Sequence, residues 1–170
     1  MKKFKEWGIE LLKGLALTAV MAVLFVGLGA FALSIETYAV DFDVTAPCGL
    51  STEELEAVLK YDLKEYAEEF LQAEEEYNIN ACLLASIAAL ESGWGRSDLA
   101  KNKNNLFGWK GKDSYKEFES PERCIDFVAW KLSKKYISKG LDTIDEIAPV
   151  YCNEEWAGYV KDIWGGLING

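Results

Sequence analysis

The amino-acid sequence predicts a mostly helical α+β domain that follows an apolar N-terminal segment. After residue 50, apolar residues recur at helical spacing through most of the chain, and residues 81–90 are apolar on nearly every side. Residues 101–118 are rich in turn-forming and aromatic residues, which indicates a loop with a small β-hairpin. With 170 residues, half of them hydrophobic, the chain is long enough for one such domain and a targeting segment.

Residues 1–39 are predicted to be a membrane anchor or a signal peptide. An uncharged run of 22 residues, 14–35, is long enough to span the hydrocarbon core of a bilayer as a transmembrane helix. Four lysines precede it and are expected to stay in the cytoplasm: Lys2, Lys3, Lys5 and Lys13. The competing interpretation is a signal peptide cleaved after Ala39, at a small-x-small sequence. Both interpretations place the rest of the chain outside the cytoplasm, on the cell membrane or secreted.

The charge and the missing histidine exclude several classes of function. After residue 39 the chain has 25 acidic and 14 basic residues. Phosphate binding needs a basic face, so no nucleic-acid partner is expected. The chain has no histidine, which removes the base of Ser-His-Asp and Cys-His catalysis and every zinc site that uses histidine.

The cysteines of the outer part of the chain predict disulfides. There are four of them, and they are widely spread: Cys48, Cys82, Cys124 and Cys152. A zinc site built from four cysteines would prefer close CxxC pairs, which are missing here. In the oxidising space outside the cytoplasm, four cysteines predict two disulfides. The sequence leaves all three pairings open, and the alternative is four reduced, buried thiols.

The first elements of the domain are predicted from their capping residues. Residues 40–50 are interpreted as a short linker, so the domain is expected to cover residues 51–170. A capping box at Ser51 opens either one long helix or two short ones. Asn80 can cap the next helix, 81–91, which is apolar all round and is therefore expected to be central and buried.

The second half of the domain follows the same logic. Ser97 begins a short helical turn, and residues 111–118 supply the predicted hairpin. Pro121 stands at the first position of another helix, as proline prefers. Thr143 begins a second capping box, and Asn153 can cap the last helix.

Glu91 is the candidate catalytic residue, because it ends the most apolar helix of the chain. The C-terminal end of a helix carries partial negative charge, so an anionic carboxylate is disfavoured there. Burial against Trp94 and Leu90 would disfavour the anion further. A carboxylic acid that keeps its proton is what general acid catalysis requires, and glycoside hydrolysis is a common reaction that works with carboxyl groups and no histidine. The alternative is a surface glutamate that happens to end a helix.

Three stretches of the sequence together resemble a known family. They are LLASIAALESGWGRSDLAKNKNNLFGWKG, YKEFESPERCIDFVAWKL and APVYCNEEWAGYVKDI, within residues 50–168. They resemble the bacterial glucosaminidases of glycoside hydrolase family 73, in the lysozyme-like superfamily. The resemblance implies a lysozyme-like fold and cleavage of the β-1,4 bond after N-acetylglucosamine in peptidoglycan glycan strands, with no metal or cofactor.

The resemblance also implies roles for individual residues. Glu91 matches the general acid of the family. Tyr159 matches its functional tyrosine, with Tyr151 as a rival and an ordinary core aromatic as the alternative. Trp94 and Trp109 could stack on sugar rings, although both could equally be core or rim aromatics. Four residues match the stretch that lines the cleft, for which an ordinary loop is the alternative: Asn104, Asn105, Phe107 and Gly108.

The second catalytic carboxylate is left open by the sequence. Many members of the family have a longer β-lobe that carries it, whereas only residues 111–118 are available here. Asp113, Glu117 and Glu119 are the candidates, with Glu117 the first choice. The alternative is assistance by the substrate's own 2-acetamido group. Two rival functions also stay open: a muramidase or lytic transglycosylase of the same superfamily, and a non-catalytic wall-binding module.

Overall fold

The computed structural model describes residues 42–170. The predicted membrane span 14–35 and the predicted cleavage site at Ala39 lie outside these residues. Among the residues that are described, no helix is both long and apolar enough to cross a membrane.

The described part of the chain is mostly helical, as the sequence predicts. It contains seven α-helices and two short 3₁₀-helices. The α-helices are α1 Thr52–Val58, α2 Ala67–Tyr77, α3 Ala81–Ser92, α4 Asp98–Lys103, α5 Pro121–Lys135, α6 Ile144–Tyr151 and α7 Glu154–Asn169, and the 3₁₀-helices are Tyr61–Tyr66 and Ile137–Lys139.

Helix α3 forms the centre of the domain. Asn80 caps its N-terminus, since its side-chain Oδ1 accepts a hydrogen bond from the Leu83 amide at 3.0 Å. Every residue from 81 to 89 is buried, which explains why this helix has no polar face. Helix α7 packs along α3, while α2 packs between α3 and α5. Glu91 therefore lies in the last turn of a helix whose preceding residues are buried on all sides.

Residues 42–50, interpreted from the sequence as a linker, pack onto the helical domain. Val44 is 0% exposed, its amide donates to the Asp142 carbonyl at 2.8 Å, and its carbonyl accepts from the Asn80 amide at 2.7 Å. Asp43 forms an antiparallel β-bridge with Thr143. The segment therefore contributes to the core and links the start of α3 to the start of α6.

One disulfide is present where two were predicted. Cys48 and Cys82 are bonded, which ties the segment 42–50 to the first turn of α3. Cys124 and Cys152 are free thiols. Cys124 lies inside the core on α5, where burial raises the pKa of its thiol to about 12, while Cys152 is exposed at the end of α6.

The predicted hairpin is reduced to a turn closed by one β-bridge, between Lys110 and Tyr115. The Gly111 amide donates to the Ser114 carbonyl at 2.7 Å, and the Lys116 amide donates to the Trp109 carbonyl at 2.9 Å. The turn residues between them are exposed and polar, so they offer no apolar cross-strand pairs that would extend the bridge into strands. The fold is thus more helical than the predicted α+β class.

Candidate active site

Glu91 lies in the last turn of α3 and is held by a tryptophan from another helix. Its Oε1 accepts a hydrogen bond from the indole Nε1 of Trp156 at 3.1 Å. Trp156 is buried in the first turn of α7, where the Asn153 side chain accepts from its backbone amide at 2.8 Å. The cap of α7 therefore fixes the indole that orients the carboxyl group.

The expectation that Glu91 is buried against Trp94 and Leu90 is wrong. The Glu91 side chain is exposed, whereas Trp94 is half-buried and has the Lys60 ammonium 5.0 Å from its ring centroid. The helix ends at Ser92, and Lys60, which covers the Trp94 ring, is the N-cap residue of the 3₁₀-helix Tyr61–Tyr66. An exposed carboxyl group can reach a ligand directly.

The turn after Glu91 has an unusual backbone. Gly93, Trp94 and Gly95 follow one another with φ values of 58°, 63° and 85°, all in the left-handed region. This conformation is rare for a bulky residue such as tryptophan. The buried Ser92 hydroxyl accepts from the Gly95 amide at 2.7 Å, and a Cβ at Gly95 would come within 3.0 Å of Asp62. The glycines thus allow a close approach that holds the turn.

The two asparagines predicted to line the cleft hold the following loop. Asn105 is buried, and its Nδ2 donates to the carbonyls of Trp109 and Lys116 at 2.9 and 2.7 Å. Its Oδ1 accepts from the Trp109 amide at 2.9 Å. Asn104 adopts a left-handed conformation and donates to the Phe118 carbonyl at 3.0 Å. These contacts correspond to the loop interpretation of the asparagines.

The loop brings the backbone of Gly108 to Glu91. A Cβ added at Gly108 would lie 3.6 Å from Glu91 Oε2. The φ of Gly108 is +59°, a backbone conformation that favours glycine. Phe107 beside it is buried in the core, and Trp109 is half-buried with its ring edge-on to Phe127 at 5.5 Å. Gly108 is therefore a predicted cleft residue whose backbone approaches the candidate acid.

Tyr151, rather than Tyr159, lies on the Glu91 side of the domain. Its ring lies 4.6 Å from that of Trp156, the residue that holds Glu91. Burial raises the pKa of Tyr151 above its usual range, and the negative charge of Glu91 raises it further. Tyr159 is 51% exposed and donates to Glu155 at 2.8 Å.

Helical spacing separates Tyr159 from the buried face of α7. The buried residues of this helix recur at three- and four-residue intervals, and Tyr159 does not belong to this set: Trp156, Ala157, Val160, Trp164 and Leu167. The hydrogen bond from Trp156 to Glu91 had no such local signal, since 65 residues separate the two.

The acidic residues of the short turn are exposed, and none is hydrogen-bonded to Glu91 within residues 42–170: Asp113, Glu117 and Glu119. Glu117 stands between two anchored neighbours, because the Asn105 side chain holds the Lys116 carbonyl and the Phe118 amide donates to the Lys103 carbonyl at 2.9 Å. Throughout the described residues, no group of three or more cysteine, aspartate or glutamate side chains is arranged to hold a metal ion.

Two relatives of similar sequence cover part of this chain. A putative endo-beta-N-acetylglucosaminidase of Streptococcus pneumoniae serotype 4 is 37% identical over an alignment of 109 residues that covers 58% of this chain and 17% of that protein. Protein bax of Escherichia coli is 59% identical over 32 residues, 19% of this chain and 12% of its own. The chain therefore spans less than a fifth of the length of these relatives.

Solved structures of similar fold include autolysin E of S. aureus. Its complex with the muropeptide NAM-L-Ala-D-iGlu matches with a TM-score of 0.66 and 25% identity, over 76% of this chain and 72% of that one. A catalytic mutant in complex with the disaccharide NAG-NAM matches with a TM-score of 0.67 and 24% identity, over the same shares.

The family model described as mannosyl-glycoprotein endo-beta-N-acetylglucosaminidase matches residues 67–164, a range that begins with α2 and includes Glu91, Gly108, Tyr151 and Trp156. This match covers more than half of the chain and confirms the resemblance stated from the sequence. The chain belongs to the glucosaminidase family.

Proposed function

We propose that this domain hydrolyses the β-1,4 bond after N-acetylglucosamine in peptidoglycan, with Glu91 as the general acid. The observation that carries the proposal is the placement of Glu91: an exposed carboxyl group at the end of a buried helix, held by Trp156 and facing the Gly108 backbone. Family membership supports the reaction class, and the ligands seen on autolysin E support a wall glycan as the substrate.

In the proposed reaction, the Glu91 carboxyl group donates a proton to the leaving glycosidic oxygen while the sugar develops oxocarbenium character, and water then takes the place of that oxygen at the anomeric carbon. The Trp156 indole keeps the carboxyl group in one orientation, which lowers the entropic cost of reaching the reactive geometry. Glu117 is our candidate for a second carboxylate, because its neighbours in the turn are anchored. Asp113 and Glu119 are the variants to compare with it.

We place the activity outside the cytoplasm, with the glycan strands as partner. The apolar run 14–35 and the lysines before it support attachment to the membrane, and the disulfide between Cys48 and Cys82 supports an oxidising environment.

The test is incubation of the full chain with purified peptidoglycan, followed by mass analysis of the released sugars. New reducing-end N-acetylglucosamine is expected. Reducing-end muramic acid would identify a muramidase instead, and an anhydromuramic product would identify a lytic transglycosylase. Binding to the wall without release of sugars would identify a non-catalytic wall-binding module.

We expect Tyr151→Phe to lower turnover by about tenfold or more, and Tyr159→Phe to leave it unchanged. The hydroxyl of Tyr151 keeps its proton and can donate a hydrogen bond to a charged group, worth about 1.5–3 kcal/mol. Tyr159 makes an exposed contact with Glu155. Steady-state turnover of the two variants decides between the tyrosines, and the reverse result would restore Tyr159 as the functional one.

We expect Trp156→Phe to lower kcat by about tenfold with little change in KM, because it removes a hydrogen bond to the carboxyl group but keeps an aromatic ring. Trp164→Phe is the matched control, since Trp164 is also buried on α7 but packs against Phe42. A thermal melt measures the stability of both variants. Equal kcat in the two variants would show that Trp156 only packs.

A further inference from the structure

Two aromatic residues, Tyr61 and Trp94, share the same rare backbone conformation and lie on two segments that contact each other. Tyr61, at the start of a 3₁₀-helix, has a φ of 50°, and Trp94, in the turn after Glu91, has a φ of 63°. Bulky residues rarely adopt positive φ, and such positions cluster where a ligand is held. The two segments touch, because Gly95 lies against Asp62 and Leu63.

A basic residue covers each of these aromatic rings. The guanidinium carbon of Arg96 lies 3.7 Å from the ring centroid of Tyr61, and the ammonium of Lys60 lies 5.0 Å from that of Trp94. Each pair joins the two segments, which fixes both cations. We name the set Lys60, Tyr61, Trp94 and Arg96 the cationic patch.

Arg96 is oriented but not neutralised. Its Nε donates to the Gly93 carbonyl at 3.3 Å, and its guanidinium is stacked on Tyr61. Within residues 42–170, its terminal nitrogens have no hydrogen-bond acceptor, and neither Arg96 nor Lys60 forms a salt bridge. A guanidinium held in this way presents a planar pair of donors that matches a carboxylate.

The charge of the patch contrasts with that of its surroundings. Acidic residues outnumber basic ones by 25 to 14 after residue 39, yet two cations meet here beside the turn that follows Glu91. In a peptidoglycan strand the N-acetylated sugars are neutral, and the peptide stems carry carboxylates. A carboxylate of the stem therefore complements the patch, while Tyr61, 54% exposed, offers an amphipathic surface beside it.

We infer that the cationic patch binds a carboxylate of the peptide stem and so selects peptide-bearing strands. This inference rests on the proposed function, because the patch would bind the same strands that Glu91 is proposed to cleave. Arg96 supplies the paired donors, Lys60 adds charge, and Tyr61 and Trp94 hold both cations in place.

The test compares native peptidoglycan strands with strands whose carboxylates have been converted to amides. Binding is measured by co-sedimentation of the full chain carrying Glu91→Gln, so that the strands stay intact. We expect Arg96→Gln to weaken binding to native strands by about three- to tenfold, the range for an exposed, charge-assisted contact. Arg96→Gln should not change binding to amidated strands. The parent should bind amidated strands as weakly as Arg96→Gln binds native strands.

Arg123→Gln is the matched control, because Arg123 is an exposed arginine on α5 whose nearest carboxylate, on Asp126, is 4.0 Å away. It should bind both kinds of strand like the parent. Lys60→Gln is the second variant, to be used if Arg96→Gln proves unstable in a thermal melt. We expect it to weaken binding by a smaller factor, again only to native strands.

An equal loss on native and amidated strands would overturn the inference, because the patch would then contribute packing alone. Unchanged binding of Arg96→Gln and Lys60→Gln would overturn it as well. Failure of the proposed function is a separate result: the chain with Glu91 intact would release no sugars, while the binding experiment would still decide the role of the patch.

Discussion

Replacing Glu91 by glutamine is expected to lower turnover on peptidoglycan by about 10²–10⁴-fold, the usual contribution of a general acid. Glutamine keeps the shape of the side chain, and its carbonyl can still accept from the Trp156 indole. It cannot donate a proton to the leaving oxygen. Stability should hold or rise slightly, since a neutral amide suits a helix C-terminus better than an anion.

The measurement is release of reducing sugars from purified peptidoglycan, with a thermal melt and a wall-binding assay for each variant. Asp113→Asn, Glu117→Gln and Glu119→Gln are made in parallel. A loss in one of them comparable to that of Glu91→Gln would identify a second carboxylate, and no loss in any would favour assistance by the 2-acetamido group. If Glu91→Gln kept more than about a tenth of the parent's turnover, below the range of general acid catalysis, Glu91 would not be the acid.

Starting the chain at Ser51 instead of Phe42 is expected to lower the free energy of unfolding by at least about 4 kcal/mol. The disulfide closes a loop with a sequence separation of 34, for which chain entropy alone gives about that value. The shorter chain also loses buried Val44 and its hydrogen bonds to Asp142 and Asn80. It leaves Cys82 as a free thiol at the start of the central helix.

Urea unfolding of the two chains measures this difference. The longer chain should unfold cooperatively. The same chain with Cys48→Ser and Cys82→Ser is the control, because it removes the disulfide but keeps the packing of residues 42–50. Its stability should lie between the other two. Equal stability of the chains that start at Phe42 and Ser51 would restore the interpretation of residues 40–50 as a linker.

The helices and the position of Glu91 could be predicted from the sequence, because they depend on residues that are neighbours along the chain. The capping boxes at Ser51 and Thr143 and the caps at Asn80 and Asn153 join residues three apart, and all four are present as predicted. The uninterrupted apolar character of α3 predicted its central position, since a helix without a polar face has to be buried on all sides.

The contacts around Glu91 and those of residues 42–50 could not be predicted, because they join residues that are far apart in the sequence. Trp156, the donor of the hydrogen bond to Glu91, is 65 residues away in the sequence, and the disulfide partner of Cys82 is 34 residues away. Val44 is hydrogen-bonded to Asp142, from which most of the domain's sequence separates it. Such long-range contacts leave no local pattern in the sequence, because they depend on how the helices pack against one another. The role of Asn105 could not be predicted for the same reason. Its side chain binds the backbone of a loop that, in the sequence, is only a run of polar and aromatic residues.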